Sequence, residues 1–189
     1  MLSAMDCILH KHGVIYCSSE MTTGLRLFQV LRNHGLSSVG DLKRQFGDEL
    51  YREKIFDTNC RFAVHFAEEV RHRFEDRTLV ITPAPFTAPS WNQDEYLAFW
   101  EALIRTRVNA VWFNHNWQYS NGCTFEFAVA VDAGIPLYDH RGATLCADEA
   151  VKLIHSAIKE IDQWGFETKR LIKNLAFIRH STVRADLPV

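Results

Sequence analysis

Apolar residues recur along this chain with two different periods, separated by polar segments, and the alternation of those periods outlines the elements. Gly13-Val-Ile-Tyr-Cys17 is a short apolar run followed by the polar stretch Ser18 to Gly24, which predicts a strand and the loop that leaves it. Leu25, Leu27, Phe28 and Leu31 then fall at helical spacing up to a stop at His34-Gly35. A polar connection from Ser37 to Gly47 leads to a longer helical segment, from about Asp48 to Phe74, with Ile55, Phe56, Phe62, Ala63, Phe66, Ala67 and Val70 on its packing face. Thr78 to Thr82 reads as a second strand, ended by Pro83-Ala-Pro85 because proline cannot continue a central ladder, and Phe86 to Trp91 reads as loop.

The second half repeats the arrangement. Tyr96, Phe99, Trp100, Leu103 and Ile104 predict a helix from Asn92 to about Arg107, and Val108 to Phe113 predicts a buried strand. After a loop from His115 to Gly122 comes a helix of small residues carrying one carboxylate, Glu126, in its first turn. Gly134 stops that helix before a strand at Ile135 to Tyr138. Ala150, Val151, Ile154, Ile158 and Ile161 give the last amphipathic helix, Ala147 to about Trp164. Strands alternating with helices predict an α/β fold, a three-layer sandwich with a mostly parallel sheet of four or five strands, Rossmann-like or flavodoxin-like. One domain spans residues 1–164, and residues 165–189 form a basic helix or tail with Lys169, Arg170, Lys173, Arg179 and Arg184, read as a solvated helix or subunit contact in preference to a phosphate-attracting one.

Bulk composition narrows the partners. With 189 residues, 47% of them hydrophobic, the chain can bury a substantial core without staples. Its 21 basic and 23 acidic residues leave a net charge of -2, which gives no argument for nucleic acid or an anionic membrane. No apolar run approaches membrane-spanning length and no basic-then-apolar leader opens the chain, so a cytoplasmic protein is expected. Five scattered cysteines suit reduced thiols. The order Cys7, His10, His12, Cys17 invites zinc, but a single-residue gap between histidines and a strand-closing Cys17 do not match structural zinc spacings, so no metal is expected and no cofactor is called for.

In a parallel sheet the loops after the strands share one rim, where ligands bind, and Ser18 to Gly24, Pro83 to Trp91 and His115 to Gly122 all lie there. Glu126 stands beside that rim without a capping-box partner, since position 123 is Cys, and without an i,i+4 partner, since position 130 is Ala. Neither Gly-x-Gly-x-x-Gly nor Gly-x4-Gly-Lys-Ser/Thr occurs, which disfavours ordinary dinucleotide redox and kinase chemistry. Ser18, Ser19, Thr22 and Thr23, in a loop that also holds Met21 and Gly24, can hold a sugar hydroxyl or a phosphate. Phe86, Trp91, Trp117 and Tyr119 are loop aromatics on which a planar base could stack; covering the sheet edge or a dimer contact is the alternative. Cys123 reads as a small residue packing beneath Glu126 rather than a thiolate. A lone pocket carboxylate beside such hydroxyls suits cleavage of a glycosidic bond through an oxocarbenium-like transition state, with Asp94, Glu95 or Glu101 supplying the second acidic group.

The stretch Ser120-Asn-Gly-Cys-Thr-Phe-Glu126-Phe-Ala-Val-Ala-Val-Asp-Ala-Gly134-Ile-Pro136 resembles the Asp-x-Gly-x-x-x-Glu pattern and the following strand start of the nucleoside 2-deoxyribosyltransferase-like superfamily, which includes deoxyribosyl transferases and nucleotide N-glycosidases. The resemblance covers about Gly13 to Asp139. It implies that Glu126 is the nucleophile, that Gly122 is the turn glycine, that Val14 to Ser18 opens the sugar site, and that Val80 to Phe86, Pro85 included, supplies a pocket loop. It also puts Glu101 where the family often carries an acidic residue, and implies a homodimer or higher homo-oligomer. Two positions depart from the pattern. Ser120 stands where transferases place an aspartate that handles the base, and Phe127 replaces a glycine common after the glutamate.

The expectation is an enzyme cleaving the N-glycosidic bond of a nucleoside, nucleotide or related ribosyl compound, by hydrolysis in preference to transfer. Its alternatives are a glycohydrolase of a dinucleotide such as NAD and a non-catalytic nucleotide sensor.

Overall fold

The computed structural model describes residues 13–74 and 78–185. Cys7, His10 and His12 lie outside those residues, while Cys17 is a buried strand residue. Among the described residues the sheet has four strands, β1 (Gly13–Ser18), β2 (Thr78–Ile81), β3 (Ala110–Phe113) and β4 (Leu137–Asp139), all parallel in the order β2-β1-β3-β4. β1 is central, pairing Tyr16 with Ile81 on one side and Ser18 with Phe113 on the other. The chain leaves β1 toward β2 on one flank and returns to β3 on the opposite flank, so the carboxyl ends of β1 and β3 border the crevice where the strand order reverses.

Alternation along the strands sorts the layers. Val14, Tyr16, Val111, Phe113 and Leu137 belong to the core beneath α4 (Gln93–Arg107), α5 (Asn121–Asp132) and α6 (Ala147–Gln163). Ile15, Cys17, Val80 and Trp112 point the other way, against Phe66, Ala67 and Val70 of α3 (Asp57–Arg71). The α/β sandwich is thus realised with a wholly parallel sheet. α5 is buried on nearly every side, as its small apolar residues require: Phe127, Ala128, Val129 and Ala130 are all fully buried. A smaller core joins α1 (Leu25–Asn33) and α2 (Val39–Tyr51) to the end of α6.

Three expectations change. The polar stretch Ser37 to Gly47 is mostly helical, because Ser38 caps α2 by accepting from the Asp41 amide at 3.1 Å, and Gly47, at φ +82°, kinks that helix. The long helix from Asp48 onward is accordingly broken: a π-helical turn, Arg52–Phe56, joins α2 to α3. The basic segment after residue 165 is not a solvated tail. It forms α7 (Lys169–Ala185), which packs on α5 and α6 through Leu171, Leu175 and Ile178. Asn174 is buried too, donating from Nδ2 to the Asn121 carbonyl and to Thr124 Oγ1, both at 2.9 Å.

Leu171 and Ile178 are 1% and 0% exposed, so Leu171→Ala and Ile178→Ala should each lower the unfolding free energy by about 2–4 kcal/mol in urea titrations. A change below about 0.5 kcal/mol, the value usual for a solvated surface, would show that α7 is dispensable to the core.

Candidate functional site

The site grows from the crevice between β1 and β3. Tyr16 and Ser18 lie two residues apart on β1 and therefore face the same side, toward α5. Tyr16 donates its hydroxyl hydrogen to Glu126 Oε1 at 2.8 Å, and Ser18 donates to Oε2 at 2.6 Å. Glu126 is 6% exposed, and Tyr16 and Ser18 are fully buried. Burial pushes the Glu126 carboxyl up from 4.5 to about 7, against the two hydroxyl donors, which favour its charged form. Burial and the neighbouring Glu126 carboxylate push Tyr16 well above its ordinary value, so it remains a donor.

Local capping sets where Glu126 falls along α5. Ser120 is the N-cap residue, accepting from the Cys123 amide at 3.4 Å, and the helix begins at Asn121. Glu126 is therefore in the second turn, not the first as expected, beyond the stretch where the helix dipole acts strongly. That position leaves desolvation as the main influence on its proton. Cys123 packs beside it, and burial raises the thiol far above its ordinary range, which agrees with a packing role.

Glu126 opens onto a cavity of about 530 Å³, within the range of small-molecule sites. Of the sequence candidates, Ser19, Met21, Thr22, Thr23, Phe86, Asp94, Ser120 and Gly122 line it with Glu126. Ser18 stands behind the carboxylate and orients it. The Ser18 to Gly24 loop is tied down at several points. Asn114 donates to Ser19 Oγ at 3.2 Å, the Asn121 amide donates to Thr23 Oγ1 at 3.1 Å, and the buried Asn59 donates to the Met21 carbonyl at 2.9 Å.

The remaining candidates are elsewhere. Glu101 lies outside the cavity, on the surface of α4, paired with Arg105 at 2.9 Å, and Glu95 closes a capping box with Asn92. Asp94 alone of the three acids on that helix reaches the cavity wall. Trp117 is a core residue, 4% exposed, stacked on Phe127 and tilted against Phe113, because a short 3-10 turn at Trp117–Tyr119 folds it inward. Tyr119 hydrogen-bonds Glu160 of α6 instead of reaching a ligand. Trp91 packs on Phe86, Tyr96 and Phe99 and so buttresses the cavity wall from behind. Pro85 is exposed and off the wall, which Pro83 lines in its place. Gly24, at φ +142°, has a backbone role: a Cβ there would sit 2.3 Å from Glu20 Cδ, where the Glu20 carboxylate accepts the Leu25 amide at 2.9 Å. Burial raises Glu20 to about 7 as well.

Several wall residues have no counterpart among the sequence candidates. Tyr96, Trp100, Phe125 and Phe56 supply aromatic surface, and α7 contributes Arg170, Lys173, Asn174 and Phe177. Tyr16, the donor to Glu126, was missed as well, although its alternation with Ser18 along β1 was a usable signal, as was the i, i+3, i+4, i+7 spacing of 170, 173, 174 and 177 for the wall residues of α7. Among the described residues no group of three or more histidine, cysteine or acidic side chains could hold a metal ion, and no helix is long and apolar enough to cross a membrane. The chain matches no protein-family model, no curated protein and no solved structure.

The raised carboxyl has a thermodynamic consequence. Because its folded value lies above the ordinary 4.5, stability is full below about pH 4.5, falls as pH rises through about 7, and is level above. Glu126→Gln removes that loss. The variant should match the native chain near pH 5 and exceed it by up to about 3 kcal/mol near pH 8 in paired denaturation curves. Equal stability at both pH values would mean that the carboxylate is solvated.

Proposed function

We propose that the chain cleaves the N-glycosidic bond of a nucleoside, nucleotide or related ribosyl compound, with Glu126 acting on the anomeric carbon. The observation that carries this reading is a desolvated glutamate, oriented through both oxygens by Tyr16 and Ser18, opening onto an aromatic-walled cavity. Carboxylates so placed trap or stabilise the oxocarbenium charge that develops as the bond to the base breaks. The electron pair of that bond leaves with the base nitrogen, which takes a proton, and water then opens the glycosyl ester to regenerate Glu126. Asp94 is the acid on the cavity wall suited to exchange that proton, and Glu101 has no part in it. Phe86, Tyr96, Trp100 and Phe125 offer flat surface to a base. The resemblance of Ser120 to Glu126 to the deoxyribosyltransferase-like pattern supports the same reading, and Ser120 in place of an aspartate favours hydrolysis over base exchange.

Release of free base from a panel of nucleosides, nucleoside monophosphates and NAD, followed by chromatography, tests this. Glu126→Ala and Glu126→Gln should each lower release by about a thousandfold or more, and Asp94→Asn by about ten- to a hundredfold. A nucleophile must be ionised, so kcat/KM should rise about tenfold per pH unit toward about pH 7 and level off above it. No release from any compound, with nucleotide binding intact, would support a sensor in place of an enzyme. A profile that falls through pH 7 would make Glu126 an acid and sink its role as nucleophile.

A further inference from the structure

The face that α7 turns to the cavity is chemically unlike the one it packs on. Leu171, Leu175 and Ile178 bury against α5 and α6, while Arg170, Lys173, Asn174 and Phe177 line the cavity at i, i+3, i+4 and i+7. Asn174 is occupied in holding α5, and Phe177 adds apolar wall. The two cations are different. No hydrogen bond, ion pair or ring contact engages Arg170 or Lys173 among the described residues, whereas Lys169 beside them pairs with Glu167 at 3.3 Å.

The loop from Ser18 to Gly24 presents the opposite balance. Ser18 is spent on Glu126, Ser19 accepts from Asn114, Thr23 accepts the amide that begins α5, and Thr22 adds one neutral hydroxyl to the cavity wall. Its hydroxyls and half-buried Glu20 carry no positive charge. The two unpaired, solvent-exposed cations of α7 lie one helical turn apart at the rim of a cavity whose other charged wall residues are Glu126 and Asp94, and they give that rim a positive side suited to an anionic group.

We infer that Arg170 and Lys173 on α7 bind a phosphate group of the ligand, so that the cavity selects phosphorylated nucleosides over nucleosides. The inference deepens the glycosidase reading and rests on it for the nature of the sugar and base. Because Asn174 of the same helix face grips the Asn121 carbonyl and Thr124, phosphate held by α7 is fixed relative to the helix that carries Glu126. Recognition at one end of the ligand thereby positions the anomeric carbon at the other.

The test is a binding titration of the Glu126→Gln chain with ribo- and 2′-deoxyribonucleoside 5′-monophosphates and the matching nucleosides, read by tryptophan fluorescence through the cavity residue Trp100. It is repeated with Arg170→Gln/Lys173→Gln and with Arg170→Glu/Lys173→Glu added, all checked for native-like melting; if a double variant melts early, the two single glutamine variants take its place. The monophosphate should bind at least about tenfold more tightly than its nucleoside. That preference should collapse toward parity in the glutamine variant, invert in the glutamate variant, and weaken with added salt or inorganic phosphate. Equal affinity for both classes, a preference that survives loss of both cations, or no binding of either would overturn the inference. Base release by the native chain, assayed in parallel, separates the two claims. Preference without release leaves the cation site standing and sinks the glycosidase, and release without preference does the reverse.

Discussion

The contact on which the site depends is the pair of hydroxyl hydrogens that β1 directs onto Glu126. One strand supplies both donors because residues 16 and 18 share a face, and one helix supplies the acceptor because α5 is too apolar to lie anywhere but against that face. Burial drives that carboxyl toward its neutral form, and the two donors oppose the shift and leave it at about 7. The fold therefore keeps the group desolvated and still available to ionise, the balance that nucleophilic and charge-stabilising carboxylates need.

Around this contact several polar side chains act as restraints. Thr23 and Ser120 hold the first amides of α5, Asn174 holds one of its carbonyls, and Asn59 holds the Met21 carbonyl. The helix that carries Glu126 is thus tied to the loop after β1 and to α7, and a ligand meets a surface that is already formed. Pre-organisation of this kind places the reacting group without reordering it at the moment of binding.

Much of this was legible from residue order. The strands were visible because each is a short apolar run bounded by turn residues, and Glu126 stood out because nothing local explained a charge among alanines and valines. Trp117 and Tyr119 misled because their neighbours are polar, and loop placement hid the 3-10 turn that drives the indole into the core. Glu101 misled for the opposite reason: helical spacing does not say which face of α4 meets the crevice, and Arg105 one turn on claims the carboxylate. The cations of α7 were hidden among five basic residues of a segment whose apolar positions, Leu171, Leu175 and Ile178, are a narrow stripe. Spacing puts Arg170 and Lys173 on one face with Asn174 and Phe177, but only tertiary packing shows that this face meets the cavity.

The π-helical turn at Arg52–Phe56 carries one residue more than an α-helix would need over the same length, and it ends on Phe56, which faces the cavity while its neighbour Ile55 is fully buried in the smaller core. Each residue of an α-helix advances about 100° around its axis. Deleting the extra residue would close the turn to an α-helix with its flanking helices still in register, and would shift the side chains within the turn by up to about that angle, changing which one projects inward. A gain or loss of one residue in this turn thus alters the aromatic lining of the cavity while the carboxylate and its two hydroxyl donors remain as they are.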